Sequence, residues 1–384
     1  MVAQLNPESR KSRLPTLTGM RFIAALMVFA FHLSIMSPIK RSGPDHGPFV
    51  FLAKNGGWIG VSFFFMLSGF ILTWSARDRD TVGTFLRRRL VKIYPNHLVM
   101  FVITMALYAA ATAGLAQAVP NLLLLQAWLP RESIVFSVNI PSWSLSCELL
   151  FYLAFPFLLR LVRRIPENRL RWWTAAVAVA IVCVPLVARL LPEGTPFAHV
   201  SDASSLHGQS VTQVWFTYVF PPVRLLDFVL GILLARLVLT GRWTGPRLLP
   251  AAGLVIVFYL VGLYVPLLFQ LNAITVVPLA LLIPAAATAD AAGRRTAMSG
   301  PLWVWLGEVS FAFYLVHQVL LSDAEERFHL KHQAPVPTAI GLGLLALALS
   351  LVASWLLHAA VERPAMARWA RRAAQSRPVQ PSAR

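Results

Sequence analysis

The run Gly56-Gly-Trp-Ile-Gly-Val-Ser-Phe-Phe-Phe-Met-Leu-Ser-Gly-Phe-Ile-Leu-Thr-Trp-Ser-Ala76 decides the fold, because it contains no charged side chain. A helix needs about 20 mostly apolar residues to cross the hydrocarbon core of a bilayer, and this run has that length. The run therefore predicts a membrane-spanning helix.

The composition of the whole chain agrees with a membrane protein. Its 384 residues are 57% hydrophobic and only 13% charged, and the mean hydropathy is +0.65. A soluble domain carries about 25% charged residues, so the polar surface that a water-soluble globule needs is missing. Cys147 and Cys183 both lie in apolar stretches, which indicates neither a disulfide framework nor a metal site.

Nine further apolar runs resemble the first. The ten predicted spans are approximately 18–38, 56–76, 95–117, 145–162, 171–191, 219–240, 248–268, 270–290, 302–321 and 336–360. The predicted fold is an all-α integral membrane protein without a soluble domain. It has a cytoplasmic segment at residues 1–17, a membrane domain at 18–362 and a basic, disordered cytoplasmic tail at 363–384.

The positive charges predict the orientation of these helices. The net charge is +18. Most of the 34 lysines and arginines fall in alternate loops between the predicted helices, and these loops lie on the same side of the membrane as the N-terminus. Cytoplasmic loops carry such an excess, so both termini are predicted to be cytoplasmic. Because the positive charge lies in short loops between apolar runs, we interpret it as a signal for orientation in the membrane. We therefore do not expect nucleic acid as a partner.

Ionisable side chains inside membrane helices are costly and usually face a bundle interior or a wet cavity. The first candidates for function among those in the predicted spans are Arg21, His32, Glu148, Arg224, Asp227, Glu308 and His317. Arg21 and His32 are eleven residues apart, about three helical turns, which places them on nearly the same face about 16 Å apart. This spacing suits a long substrate with an anionic end and a reactive bond, since a neutral imidazole can take a proton from a hydroxyl. A snorkelling arginine and a hydrogen-bonded histidine are the alternatives.

A second basic feature is Phe85-Leu-Arg-Arg-Arg-Leu-Val-Lys-Ile-Tyr-Pro95, which we interpret as a cytoplasmic loop that either enforces topology or binds phosphate. Glu148 is a candidate proton carrier or a carboxylate that orients His32, with an ion-pair role as the alternative. Arg224 and Asp227 are three residues apart on one helix and can pair with each other.

With these motifs, the sequence resembles the acyltransferase-3 family of membrane acyltransferases. The motifs that carry the resemblance are Leu17-Thr-Gly-Met-Arg-Phe-Ile-Ala-Ala25 with His32, Gly60–Phe70, Phe85–Pro95, Trp143-Ser-Leu-x2-Glu-x2-Phe-Tyr152, Arg224-x3-Phe-x2-Gly231, Leu306–His317 and Glu362-Arg-Pro364. Each motif alone is weak, and their order along nearly the whole chain is specific.

The resemblance implies O-acylation of a sugar hydroxyl with acyl-CoA as co-substrate, without a metal or a bound cofactor. The expected catalytic residues are His32 and Glu148. The expected acyl-CoA site is Arg21, Arg87, Arg88, Arg89, Lys92 and Tyr94, and the acceptor-binding or structural residues are Trp143, Arg224, Asp227 and His317. The family's second arginine after the second helix is replaced here by Lys92. Lysine keeps the positive charge but lacks the planar guanidinium that can donate two hydrogen bonds to one phosphate.

The resemblance extends to actinobacterial members that acylate macrolide sugars, which makes a glycosylated small molecule the expected acceptor. O-acetylation of a cell-envelope polysaccharide or glycolipid is the alternative acceptor chemistry, and a transporter or flippase is the alternative class. The expected location is the bacterial cytoplasmic membrane.

Overall fold

A computed structural model describes residues 14–35, 47–77, 80–198, 205–328 and 334–370. Ten helices of 15 residues or more lie in these ranges, joined by short helices and turns. They are α1 (Pro15–Ser34), α2 (Gly56–Trp74), α3 (Val82–Leu107), α4 (Trp143–Arg164), α5 (Leu170–Ala188), α6 (Pro221–Leu239), α7 (Leu248–Gly262), α8 (Ala273–Ala291), α9 (Pro301–Arg327) and α10 (Val336–Leu357).

Eight of these helices are long and apolar enough to cross a membrane. The other two are α6, which carries Arg224, Asp227 and Arg236 within its 19 residues, and α7, which has 15 residues. The protein is therefore an all-α membrane protein, and the count of ten spans and the side of each terminus stay predictions.

The outward faces of the peripheral helices carry large apolar side chains. The exposed ones include Trp172, Val179 and Leu186 on α5, Ile256 and Val257 on α7, and Leu344, Leu345, Leu349 and Val352 on α10. A soluble monomer rarely exposes so extended an apolar surface. In a bilayer these side chains face lipid, and the core lies among α1, α2, α6, α8 and α9.

Two glycines allow α2 and α6 to pack at the centre of the bundle. A Cβ atom added at Gly69 on α2 would collide with the backbone oxygen of Phe228, and one added at Gly231 on α6 would collide with that of Met66. Small residues permit such close approach between membrane helices, where backbone packing is a main source of stability.

Helix α1 carries Arg21 and His32, and contacts hold it at its start and along its length. At its start, the backbone N–H and hydroxyl of Thr16 donate to the Asp290 carboxylate of α8 at 3.1 and 2.5 Å. Along its length, the rings of Phe22 and Phe29 pack on Phe313 of α9 at 5.6 and 5.7 Å between centroids. We call the end of the bundle where α1 begins the basic end, and the other the outer end.

The largest difference from the predicted spans concerns α3. Its first residue is Val82, not Pro95, because the basic segment is helical and not a loop. The Thr81 hydroxyl accepts a hydrogen bond from the Thr84 backbone N–H at 3.2 Å, which is a helix N-cap. Arginine, leucine and lysine favour helix, and Pro95 lies inside it.

The predicted tail also needs correction. After α10, helical turns continue through Arg363 to Ala370, so the disordered tail does not begin at residue 363. Residues 371–384 lie outside the described part of the chain, as do residues 1–13 of the predicted N-terminal segment. Residues 109–142, between α3 and α4, form short helices and turns that cover the outer end, and we call them the cap segment.

Candidate active site

A cavity of about 320 Å³ opens at the outer end of the bundle. His32, in the last turn of α1, lies in its wall together with the cap segment and the first turns of α2 and α4. The wall is mainly apolar and includes Val28, Phe31, Trp58, Phe136, Ile140, Trp143, Leu206, Tyr218 and Tyr314. The volume is at the lower end of the range for small-molecule sites, and we call it the outer cavity.

Aromatic contacts hold this wall in place. The Trp58 ring lies 4.8 Å from that of Phe31 and 4.9 Å from that of Tyr218. The Trp143 ring lies 5.1 Å from that of Tyr218, and the Tyr218 hydroxyl donates to the Gly57 backbone oxygen at 3.2 Å. The outer cavity is therefore lined by rings that support one another.

His32 is joined to His317 across α1 and α9. His32 Nδ1 lies 2.9 Å from His317 Nε2, and His317 Nδ1 lies 2.9 Å from the backbone oxygen of Phe313. A carbonyl oxygen can only accept, so His317 Nδ1 carries the hydrogen, and Nε2 of the neutral ring accepts from His32 Nδ1. The Nε2 atom of a neutral His32 then holds a lone pair, which is the state that a general base requires.

A second cavity, of about 110 Å³, lies toward the basic end and contains the expected cations. Arg21 of α1 and Arg89 and Lys92 of α3 line it, together with Glu148 and Tyr152 of α4. Arg89 and Lys92 are three residues apart and share one helix face. We call this space the inner cavity, and its three cations suit an anionic group.

A narrow space of about 50 Å³ lies between the two cavities. It shares Val61 and Tyr314 with the outer cavity. It shares Arg21, Phe64, Glu148 and Phe311 with the inner cavity. The three spaces therefore follow one another through the bundle, with Arg21 at the inner part and His32 at the outer one.

Glu148 lies in the inner part of this path. Its carboxylate accepts a hydrogen bond from the Tyr152 hydroxyl at 2.8 Å. The side chain that hydrogen-bonds to His32 is His317, so the structure does not show the expected contact between Glu148 and His32. The sequence could not indicate this pair, because the two histidines are 285 residues apart.

Three of the residues expected around acyl-CoA lie away from the inner cavity. Arg87 is exposed on another face of α3, and Arg88 forms an ion pair with Asp80 at 2.5 Å. Tyr94 lies within reach of the Leu123 backbone oxygen, 3.5 Å away, and its ring contacts His97. The structure thus brings together Arg21, Arg89 and Lys92 from that set.

Arg224 and Asp227 form the pair that their spacing predicts. Arg224 Nη1 lies 3.3 Å from Asp227 Oδ2, with both side chains fully buried. Arg224 Nη2 donates to the Ser62 hydroxyl at 2.9 Å, and its guanidinium lies 4.9 Å from the Tyr218 ring centre. The pair therefore lies behind the aromatic wall, whereas Trp143 lies in the wall itself. In the described ranges, no group of three or more His, Cys, Asp and Glu side chains is placed to hold a metal ion.

The comparisons with known proteins show the family of the chain. Residues 14–358 match a family model, that of the acyltransferase-3 family, described as an acyltransferase domain. The chain is 43% identical to Acyltransferase MdmB of Streptomyces mycarofaciens over 93% of this chain and 92% of that protein. It is 29% identical to the exopolysaccharide production protein ExoZ of Rhizobium meliloti, over 81% of this chain and 90% of that protein.

A more distant relative is the putative peptidoglycan O-acetyltransferase YrhL of Bacillus subtilis, with 27% identity over 48% of this chain and 30% of that protein. No solved structure matches. The chain belongs to the acyltransferase-3 family and is a multi-pass membrane O-acyltransferase.

Proposed function

We propose that this enzyme moves a short acyl group from acyl-CoA to a sugar hydroxyl of a glycosylated small molecule, with His32 as the general base. The observation that carries the proposal is the chain of hydrogen bonds from His32 through His317 to the Phe313 backbone oxygen. It leaves the lone pair of His32 Nε2 for the substrate, at the wall of the outer cavity.

The charges of the inner cavity support acyl-CoA as the donor. Arg21, Arg89 and Lys92 provide a site for the phosphates at the inner end of the path. Arg21 and His32 are eleven positions apart on α1, which corresponds to about 16 Å along its axis. A donor held at the inner cavity by its anionic part would thus extend its thioester along the connecting space toward His32.

The reaction follows from this placement. His32 Nε2 takes the proton of the acceptor hydroxyl while that oxygen attacks the thioester carbonyl. The carbon–sulfur bond breaks, and the leaving thiolate receives the proton from the imidazolium. The products are an ester and the CoA thiol, and His32 returns to its neutral state. His317 acts as a positioning residue, since its Nε2 holds the ring of His32 and stabilises the imidazolium.

The outer cavity favours a small acceptor with an apolar body. The rings of Trp58, Trp143 and Tyr218 can pack on the apolar faces of a sugar and of the molecule attached to it. An envelope glycan is the second candidate, because the names of ExoZ and YrhL refer to an exopolysaccharide and to peptidoglycan.

The experiment is acyl transfer by the purified full-length protein. Acetyl-, propionyl- and isovaleryl-CoA are combined with glycosylated macrolides and with envelope oligosaccharides, and release of the CoA thiol is followed together with the mass of the product. We expect transfer to a glycosylated macrolide that is absent in His32→Ala. Transfer to envelope sugars alone would show that the acceptor is an envelope glycan and not a glycosylated small molecule. Equal transfer by His32→Ala would refute the role of His32.

A further inference from the structure

The narrow space between the outer and inner cavities is bounded by two pairs of side chains, one from α2 and one from α9. Val61 and Phe64 are three residues apart on α2, and Phe311 and Tyr314 are three residues apart on α9, so each pair shares one helix face. The rings of Phe64 and Tyr314 lie edge to face, 6.0 Å apart between centroids. Val61 and Tyr314 line the opening into the outer cavity. We call this space the throat.

The throat is apolar where it meets the outer cavity. Its two serine hydroxyls donate to nearby backbone oxygens, Ser144 to Pro141 at 2.9 Å and Ser310 to Gly307 at 2.8 Å. The two charged side chains of its lining are those that it shares with the inner cavity, so they belong to its inner part. The outer part of the throat therefore presents an apolar surface to a ligand.

Close packing holds Val61 in place. Helix α2 meets α1 at Gly60, where an added Cβ atom would lie 2.7 Å from a methyl group of Val28. On the other side of Val61, the Ser62 hydroxyl accepts a hydrogen bond of 2.9 Å from the buried Arg224. Because a packed interior does not widen freely, the side chain at position 61 sets the width of the outer opening.

The direction in which the donor enters determines which of its groups meets Val61. In the proposed function, the donor is held at the inner cavity and its acyl group leads toward His32. The acyl group must then pass between Val61 and Tyr314 before the thioester carbonyl can reach His32. Beyond the opening it lies beside Val28, which is one helical turn before His32 and lines the outer cavity together with Val61. The acyl group is therefore the part of the donor that contacts Val61 when the thioester is in the reactive position.

We propose that the outer opening of the throat binds the acyl group, and that Val61 is a specificity-determining residue that limits the size of this group. Acetyl- and propionyl-CoA are then the preferred donors, and the branched isovaleryl group is disfavoured at the opening. The inference rests on the proposed function, in which acyl-CoA enters from the basic end. One methylene group more or less in a hydrophobic site changes kcat/KM by about 10-fold or more, which makes the effect measurable.

The test measures kcat/KM of the purified full-length protein for acetyl-, propionyl- and isovaleryl-CoA, with a saturating glycosylated macrolide as acceptor. Val61→Ala removes two methyl groups from the opening, and Val61→Ile adds one. The control Val276→Ala makes the same truncation at a buried residue of α8 that lies outside the lining of the throat and of the two cavities. We expect the ratio of kcat/KM for isovaleryl-CoA to that for acetyl-CoA to rise about tenfold in Val61→Ala, to fall about tenfold in Val61→Ile and to stay unchanged in the control.

Three results would overturn the proposal while leaving the proposed function intact. The first is the same donor ratio in the unmutated protein and in all three variants. The second is an unmutated protein that uses isovaleryl-CoA as well as acetyl-CoA. The third is a change of KM for the acceptor in the Val61 variants that is equal with every donor, which would assign Val61 to the acceptor. Thermal unfolding of each variant is compared, and Val61→Ala decides alone if the larger isoleucine prevents folding. Absence of transfer from every donor by the unmutated protein would instead refute the proposed function.

Discussion

The outer and inner cavities lie on one path through the bundle and differ in chemistry. The outer one is walled by aromatic and aliphatic side chains around His32, whereas Arg21, Arg89 and Lys92 line the inner one. An apolar wall selects shape and an array of cations selects anions. Under the proposed function, this difference assigns the acceptor to the outer end and the anionic donor to the basic end.

Among the residues that support His32, we expect substitution of His317 to lower kcat the most. His317→Ala removes the acceptor of the His32 Nδ1 hydrogen bond, so the ring of His32 loses its orientation. We expect kcat to fall by about 10- to 100-fold, as for partners that orient functional histidines, and KM for both substrates to change little.

His317→Gln separates this role from simple packing, because a glutamine oxygen can accept the same hydrogen bond. Recovery of most of the lost kcat in the glutamine variant would support the positioning role. Equal losses in both variants, with unchanged thermal unfolding, would contradict it.

A smaller effect is expected at the inner cavity. Lys92→Ala removes one of its three cations, so KM for acyl-CoA should rise about fivefold to tenfold while KM for the acceptor stays constant. The rise should shrink at high salt, which screens charge. Lys92→Arg keeps the charge and should retain near-normal KM, and a larger defect in this variant than in alanine would argue against an electrostatic role.

The smallest expected effect reports on the outer cavity. Trp58→Ala removes a ring that packs on Phe31 and Tyr218, and KM for the acceptor should rise by about threefold to tenfold without a change in KM for the donor. Leu249→Ala is the control, since Leu249 is an exposed apolar residue of α7. A rise of KM for the donor instead would reverse the assignment of the two cavities.

The sequence predicted the helices well where a span is apolar throughout, as in α2 and α8. It failed at the start of α3, because Arg87, Arg88, Arg89 and Lys92 lower the hydropathy of a segment that is nevertheless helical. Hydropathy reports on contact with lipid, whereas these residues line a polar cavity or face the basic end.

The candidate site was predicted in part. The spacing of Arg21 and His32 on one helix predicted that the two side chains lie about 16 Å apart on one face, because this distance depends on helix geometry alone. These residues line the inner and the outer cavity. The pairing of His32 with His317 and the aromatic wall at Trp58 and Tyr218 depend on contacts between helices far apart in sequence. Periodicity within one helix carries no information about such contacts.

The central claim is that His32 performs the chemistry and does not hold the donor. The most direct measurement is a single-turnover transfer assay on His32→Ala together with the Kd of a non-transferable acyl-CoA analogue, beside His97→Ala, a buried histidine outside the three spaces. We predict that transfer falls by at least about 100-fold in His32→Ala while the Kd is unchanged. Transfer at the unmutated rate, or a loss explained by weaker analogue binding, would contradict the account.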